Sequence, residues 1–240
     1  MSNIVLREPG DSVAIPQTGM ELSEYTNGEI KIRAILKWNA EVDLDIHAFY
    51  RNKDGSKDGH VSFGSKGSNK KPPYIYLDKD MGVGNVGGDN QEIITIGTLA
   101  HVDSILIATN IFRILGFLAE DENFGKYDGN IKLITSKSNE IAVPLTSSTP
   151  GRWCVIALID NSDPYSPIVT NINKVTQSEP KLDDYLNNNG FELPSDFNNK
   201  SLDIKTVVKC PGCTQKLRIP VGKTIVVTCN NCNHKFQVDG

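Results

Sequence analysis

Four of the five cysteines lie within the last 31 residues, as two pairs with the same spacing. Each pair, Cys210/Cys213 and Cys229/Cys232, has two residues between its cysteines, and 15 residues separate the pairs. A two-residue interval lets both sulfurs of one knuckle point at a single ion, and two knuckles complete a tetrahedron of soft thiolates. The spacing therefore predicts a zinc ribbon with a closed, structural four-cysteine site. A redox dithiol pair and a rubredoxin-like iron site are the alternatives.

The segment around these cysteines is basic. From residue 204 onward the chain has six Lys and Arg residues against one Asp, although the net charge of the whole chain is −4. The acidic surplus therefore lies in residues 1–203, where cations are the expected ligands. Four ribbon residues are candidate contacts for a phosphate or an acidic partner: Lys216, Arg218, Lys223 and Lys235. A basic surface of this kind is equally typical of a soluble module that binds no phosphate.

A second candidate site is acidic and begins with Asp43 and Asp45. On a strand, residues i and i+2 face the same side, roughly 7 Å apart, so these two carboxylates can converge on one hard cation. An acidic, glycine-rich stretch follows at residues 78–90. Glycine lets backbone carbonyls turn inward, and Asp and Asn supply hard oxygens, so the stretch has ligand chemistry for Ca²⁺ without matching an EF-hand loop. Solvated loops often share this composition.

Residues 82–87 also match the G-x-G-x-x-G pattern of dinucleotide-binding loops. That motif needs a helix directly after it to present its N-terminus to the pyrophosphate. A strand-like pattern follows instead, and Asp80 and Asp89 flank the glycines, so they would repel a phosphate. We do not expect nucleotide binding here.

The elements that position these residues are predicted to be strands. Apolar and polar residues alternate with period two at residues 30–38 and 42–50. Further strands are predicted at 60–63, 74–77, 92–99, 104–114, 130–135, 140–145, 152–159 and 168–172. About ten short strands separated by turn-forming residues, with little helical periodicity, predict an all-β fold with a two-sheet β-sandwich.

The domain organisation follows from these patterns. We expect a sandwich domain over residues 1–178, a linker that begins with a short helix over 179–204, and the four-cysteine zinc ribbon over 205–240. Within the ribbon, two short strands are predicted at 215–219 and 223–228, around a turn at 220–222.

The chain is expected to be cytoplasmic. Its N-terminus shows no signal-peptide pattern, and the most apolar stretch, 105–119, is too short to span a bilayer and contains Arg113. Paired cysteines without a secretory signal indicate a reducing compartment and metal binding rather than disulfides. Cys154 lies in an apolar run and is expected to be an inert core residue.

These residues resemble the TerD/TerA family of tellurium-resistance and chemical-stress proteins, and within it the TerA-like branch. The similarity extends over residues 1–178 in family order. Its features are Trp38-Asn39 ahead of residues 42–45, then residues 54–57, residues 72–78, the loop with Asp80, Gly84 and Asp89, and residues 154–159.

The resemblance implies a β-sandwich that binds Ca²⁺ through the Asp-x-Asp strand and the acidic loop. It implies seven ligand positions: Asp43, Asp45, Asp80, Asp89 and Asn90 through side chains, and Gly82 and Gly84 through carbonyls. The family often has Gly-Asp-Asn at the loop start and Gly-Asp-Asp-Glu at its end. Here residues 79–81 are Lys-Asp-Met and residues 88–91 are Gly-Asp-Asn-Gln, which predicts a weaker affinity or the loss of one of two sites.

The expected function is a non-enzymatic stress protein. Ca²⁺ binding would neutralise the acidic residues and order the loop, which would then contact protein partners, other stress-resistance proteins among them, with the ribbon as a second contact. Two alternatives stay open. One is nucleic-acid binding through the basic ribbon. The other is a metal-dependent hydrolase that uses Asp43, Asp45 and His47, although no activated Ser or Cys accompanies them.

Overall fold

The computed structural model describes residues 3–15, 31–112, 122–136, 139–163, 167–186, 205–213, 216–220, 224–228 and 231–239. The chain divides into two compact units, Met1–Phe191 and Glu192–Gly240. The predicted domain boundaries at 178 and 204 stay predictions, and most of the predicted linker lies outside the described residues.

The described part of the first unit consists mainly of strands. A 3-10 helix spans Phe124–Tyr127, and a short α-helix, α1, spans Asp183–Leu186. The strands are β1 (Asn3–Val5), β2 (Ser12–Ala14), β3 (Ile32–Trp38), β4 (Asp43–Asn52), β5 (Gly59–Val61), β6 (Ile75–Lys79), β7 (Asn90–Ile96), β8 (Val102–Phe112), β9 (Asn130–Thr135), β10 (Glu140–Pro144), β11 (Trp153–Asp160) and β12 (Ile168–Thr176).

These strands form two six-stranded sheets. Sheet A has the order β1-β10-β9-β3-β7-β6, and sheet B has the order β2-β12-β11-β8-β4-β5. Neighbouring strands are antiparallel except β1 and β10, which are parallel. The predicted all-β, two-sheet sandwich is therefore confirmed. The three-residue strands β1 and β2 were not predicted, because such short segments show no periodicity.

The core between the sheets follows the period-two pattern. On β3, Ile32, Ala34 and Leu36 are fully buried, and Leu44 and Ile46 on β4 meet them from sheet B. Because alternate side chains of a strand point to opposite faces, the predicted ligands Asp43 and Asp45 lie on the other face of β4.

A second apolar cluster covers that outer face of sheet B. We call residues 177–186, which follow β12, the C-terminal strap. Its residue Leu182 is buried together with Phe49 and Trp153. At the margin of the cluster, Arg51 forms ion pairs with Asp58 and with Asp183 of α1. The strap is therefore packed on the sandwich and is not free chain.

The second unit contains four described strands: β13 (Lys205–Lys209), β14 (Lys216–Pro220), β15 (Thr224–Thr228) and β16 (Lys235–Asp239). β14 and β15 confirm the two predicted strands, but each pairs with a flanking strand, β14 with β13 and β15 with β16. Lys209 is paired with Lys216, and Thr228 with Lys235, so Cys210 and Cys213 lie between the strands of one hairpin and Cys232 between those of the other. The predicted turn at 220–222 lies mostly outside the described residues.

No helix in the described part of the chain is long and apolar enough to cross a membrane.

Candidate metal centres

Three acidic residues from both sheets of the first unit converge at one point. Asp45 on β4, Asp80 after β6 and Glu92 on β7 each place one carboxylate oxygen within 4.8 Å of the others. We call these three residues the acidic triad. Asp43 lies close enough to Asp80 for the two charges to interact. Two of the residues that the resemblance implies, Asp45 and Asp80, are thus brought together, and a third acid joins them from sheet A.

The edge of β4 explains why sheet A can reach sheet B here. Strand β5 pairs only with residues Ala48 to Tyr50 of β4, so none of the described strands takes the amide of Ile46 on that edge. The Ile46 N–H donates instead to Oε2 of Glu92, at 2.7 Å. Oε1 of Glu92 accepts a second bond from the amide of Met81, at 3.2 Å. One carboxylate therefore holds both the strand edge and the start of the glycine-rich loop.

A bulge in β6 places Asp80 in the triad. Leu77 is opposite Ile94, but Lys79 rather than Asp78 is opposite Ile93. The extra residue shifts the register by one, so the next residue, Asp80, comes beside Glu92. Without the bulge, Lys79 would be in that position and a positive charge would replace the negative one.

Glu92 is only 1% exposed, and the sequence patterns considered above did not predict it as a site residue. The sequence feature that could have identified Glu92 is its place in the apolar–polar alternation of β7. Glu92 lies on the same face of β7 as Ile94 and Ile96, whose side chains are fully buried toward the core. An acid in phase with core residues is uncommon and indicates a hydrogen-bonded or metal-binding carboxylate.

Buried carboxylate oxygens at this site lack partners. Asp45 is 5% exposed, and neither its Oδ2 nor Oδ1 of Asp43 has a hydrogen-bond partner among the described residues. A buried carboxylate without a partner is costly unless it is protonated or paired with a cation. The donors present are hard oxygens, which suit Ca²⁺ or Mg²⁺ rather than a soft metal.

Burial and mutual repulsion raise the pKa values of the carboxyl groups at this site. Burial, followed by the charges of Asp43 and Asp80, raises the pKa of Asp45 to about 7. Burial also raises the pKa of Glu92 to about 8, with Asp45 and Asp80 acting in the same direction and its two backbone hydrogen bonds opposing it. The pKa of Asp43 is raised by burial and then by Asp80. Negative charge is therefore unfavourable here until a cation compensates it.

The other implied side-chain ligands have different contacts. Asp89 lies 3.6 Å from the ammonium of Lys37 and accepts a hydrogen bond from Gln91. The Asn90 amide donates to the carbonyls of Trp38 and Asn85, and its oxygen accepts from the Asn85 amide. In this structure Asp89 and Asn90 fasten the loop and do not belong to the acidic triad.

The two glycines have conformational roles. Gly82 has φ of 75°, in the left-handed region that favours glycine. The Gly84 amide donates to the Val42 carbonyl at 2.9 Å, and a Cβ at Gly84 would lie 2.4 Å from Nε1 of Trp38. The loop can approach the turn between β3 and β4 this closely only without a side chain at Gly84. Carbonyl donation by the two glycines stays a prediction.

Within the described ranges, one basic residue is ion-paired with the triad. The ammonium of Lys66 lies 3.2 Å from Oδ2 of Asp80. Lys66 was not singled out in the sequence analysis, because its position 14 residues before Asp80 gives no local signal.

His47, the histidine of the hydrolase alternative, is buried on the same face of β4 as Asp45. Its Nδ1 lies 2.9 Å from Nε2 of His60, and its Nε2 lies 3.1 Å from Oδ1 of Asn110. Burial lowers the pKa of His47 to about 4, against the opposing effect of the Asn110 hydrogen bond. Both ring nitrogens are thus engaged with protein groups, which disfavours His47 as a base or a metal ligand.

The second metal centre lies in the ribbon. Cys210, Cys213 and Cys232 place their sulfurs within 4.8 Å of one another, and the Cys210 and Cys232 sulfurs are 3.6 Å apart. The Gly212 amide donates a hydrogen bond to the Cys210 sulfur at 3.4 Å. This cluster can hold a metal such as zinc. The predicted fourth ligand, Cys229, lies outside the described residues.

The remaining predicted residues are placed only in part. Lys235 on β16 is exposed; Lys216 and Arg218 lie on β14; Lys223 lies outside the described residues. Phosphate contacts by these four residues stay a prediction. In the first unit, Cys154 is fully buried and its pKa is raised by burial to about 12, so its thiol is inert, as expected.

No protein-family model matches the chain, and no curated protein matches it. Two crystal structures are similar in fold. One is of a protein of unknown function, SAV2460, with 15% identity and a TM-score of 0.46 over 62% of this chain and 93% of that chain. The other is of a homologue of telluride resistance protein (TerD), SCO6318 from Streptomyces coelicolor A3(2), with 14% identity and a TM-score of 0.46 over 64% of this chain and 94% of that chain.

Proposed function

We propose that this protein is a non-enzymatic, Ca²⁺-binding adaptor of the TerD/TerA type, with a metal-bearing ribbon as a second contact for protein partners. The observation that supports it most directly is the burial of Asp45 without a partner for Oδ2 among the described residues. Glu92 and Asp80 add two hard oxygens beside it. This set fits a divalent cation with oxygen ligands better than it fits any neutral ligand.

Asp45, Asp80 and Glu92 would hold the ion, with Asp43 adjacent. The bound cation supplies the positive charge that lets all these carboxylates ionise together. The protein's own contribution is positional. Glu92 accepts hydrogen bonds from the Ile46 and Met81 amides, so the loop start and the strand edge are fixed to one ligand. Ionised Glu92 accepts both bonds more strongly than the protonated form, and the loop is held more firmly in the cation-bound state.

The loop that is held in this way offers a contact surface. Val83 and Val86 are 65% and 71% exposed. Two exposed valines three residues apart give this loop an apolar surface that a partner protein could cover. We infer that the loop binds a partner protein and that Ca²⁺ strengthens this binding by reducing the loop's conformational freedom.

The ribbon is proposed to bind zinc with Cys229 as the fourth ligand. A closed four-thiolate site would stabilise a small unit in which each knuckle joins two five-residue strands. The ribbon's basic residues would then meet an acidic partner surface.

Calorimetric Ca²⁺ titration of the full-length protein tests the proposal. We expect saturable binding that is weakened at least tenfold in Asp45→Asn. Asp89→Asn is the matched control, because it removes the same charge from an exposed residue paired with Lys37, and it should retain the wild-type affinity within about twofold. Absence of saturable binding up to millimolar Ca²⁺, or equal affinities in wild type and Asp45→Asn, would overturn the calcium proposal.

A further inference from the structure

Lys66 places a positive charge on the exposed side of the acidic triad. Its ammonium is 3.2 Å from Asp80 Oδ2, and the side chains of Lys66 and Asp80 are 64% and 35% exposed. The other two acids, Asp45 and Glu92, are buried. Among the described ion pairs, Lys66 supplies the cation that contacts the triad.

We propose that Lys66 is a built-in counter-ion that pairs with Asp80 when no divalent cation is bound and must leave Asp80 when one binds. This inference rests on the proposed Ca²⁺ site. It makes Lys66 a residue that lowers the affinity of that site.

The backbone around Lys66 holds it near the triad. The carbonyl of Lys66 accepts a hydrogen bond from the Leu77 amide at 2.9 Å, and the Ser68 amide donates to the Ile75 carbonyl at 3.0 Å. Between them Gly67 has φ of 68°, and a Cβ there would lie 2.1 Å from the Ile75 oxygen. The main chain of residues 66–68 is thus fastened to β6, the strand that leads directly to Asp80.

The side chain, in contrast, is free to leave. A lysine has a flexible four-carbon chain, and that of Lys66 is largely exposed, so its ammonium can move into water at little cost. One ammonium carries a single charge and interacts as a donor with Asp80. It cannot coordinate the buried oxygens of Asp45 and Glu92 as a divalent ion can.

The two cations therefore compete for one carboxylate. Ca²⁺ needs Asp80 to complete its oxygen set, and each binding event must break the Lys66–Asp80 pair. The free energy of that pair is subtracted from the binding free energy of the ion. Removing the Lys66 charge should tighten Ca²⁺ binding, whereas a positive charge elsewhere on the same loop should have little influence at physiological salt.

Three variants of the full-length protein test this competition by calorimetry. Lys66→Met should lower the Ca²⁺ Kd by about two- to fivefold, the range expected from an exposed ion pair. Lys66→Arg keeps the charge and should resemble wild type. Lys70→Met is the matched control, because Lys70 is an exposed lysine of the same loop with no described ion pair, and its Kd should also resemble that of wild type.

Amine acylation followed by mass spectrometry gives a second measurement that a purely structural role of Lys66 would not affect. Saturating Ca²⁺ should increase the acylation rate of Lys66 and leave that of Lys70 unchanged. The competition is wrong if Lys66→Met has the wild-type Kd and Ca²⁺ does not change the acylation rate of Lys66. The Ca²⁺ site itself still stands in that case, provided that wild type binds Ca²⁺ and Asp45→Asn does not.

The outcomes without binding in wild type are also informative. Ca²⁺ binding by Lys66→Met alone would support the competition and overturn calcium binding by the native chain. Absence of binding in both proteins would overturn both proposals.

Discussion

The amide of Ile46 in sheet B donates a hydrogen bond to the carboxylate of Glu92 in sheet A, with 2.7 Å between the nitrogen and Oε2. The two sheets of the sandwich are therefore linked by a polar contact at the candidate metal site as well as by the apolar core. Glu92 also accepts a hydrogen bond from the Met81 amide. A change of charge on this carboxylate therefore alters the hydrogen bonds to the strand edge and to the loop together.

Glu92→Gln should separate the binding role of Glu92 from its structural role. Near pH 4, where Glu92 is protonated and its hydroxyl oxygen can still accept, glutamine turns an NH2 group toward one of the two amides, so the ion-free stability should fall by about 1–2 kcal/mol. The Ca²⁺ Kd should rise at least tenfold, because a charged ligand is lost. Urea unfolding and calorimetry measure the two effects.

Glu140→Gln is the control for Glu92→Gln, since Glu140 pairs with Lys132 on neighbouring strands β10 and β9. Its Ca²⁺ affinity should match that of wild type. Wild-type affinity in Glu92→Gln would show that the ion is not held by Glu92.

The raised pKa values of the triad predict how stability depends on pH. Asp45 and Glu92 titrate near pH 4 in an unfolded chain, but their pKa values in the fold are about 7 and about 8. The folded protein therefore keeps protons that the unfolded chain releases, and this contribution to stability is lost as pH rises from about 4 to 8. The stability of Asp45→Asn relative to wild type should rise over about pH 4–7 in calcium-free buffer. A difference that is constant with pH would contradict this assignment.

For His47 we expect the opposite dependence of stability on pH. Its pKa falls from 6.5 to about 4 on folding, chiefly through burial, so its contribution is fully present above pH 6.5 and is lost as pH falls through about 4. Protonation would give both ring nitrogens a hydrogen. Nδ1 of His47 could then no longer accept a hydrogen bond from His60. Wild type should lose stability relative to His47→Gln as the pH falls from about 6.5 to 4. Parallel pH profiles for the two proteins would exclude a neutral, buried His47.

The ribbon cysteines predict metal content. The full-length protein should contain one zinc ion, and Cys232→Ser should lose most of it, because one thiolate of the cluster is removed. Cys154→Ala, which changes a buried thiol of the sandwich, should keep the full content. Atomic absorption measures the zinc, and near-ultraviolet circular dichroism of Trp38 and Trp153 should show an unchanged sandwich in Cys232→Ser. Equal zinc in both variants would rule out Cys232 as a ligand.

The fold and the acidic site could be predicted from sequence to different depths. Alternation in β3 and β4 located the sandwich core and put Asp43 and Asp45 on one face, because these patterns are local. The approach of Glu92 depends on the unpaired edge of β4 beside residues 43–47, which follows from the pairing of distant strands. The position of Asp80 beside Glu92 depends on a one-residue bulge in β6. No feature of the composition indicates that bulge.

Composition also could not tell which loop oxygens face the acidic triad. Asp89 and Asn90 have the right chemistry, but in the structure they contact Lys37 and the backbone of Trp38 and Asn85. Side-chain direction in an irregular loop is set by such tertiary contacts. The cysteine spacing was more informative, because a two-residue interval within a knuckle restricts geometry locally.

The C-terminal strap determines where the chain can be cut. A fragment that ends at residue 178 would lack Leu182, which is buried with Phe49 and Trp153, and Asp183, which pairs with Arg51. The aromatic side chains of sheet B would then face water, and such a fragment should self-associate. The shortest soluble version of the first unit is therefore expected to end no earlier than residue 186.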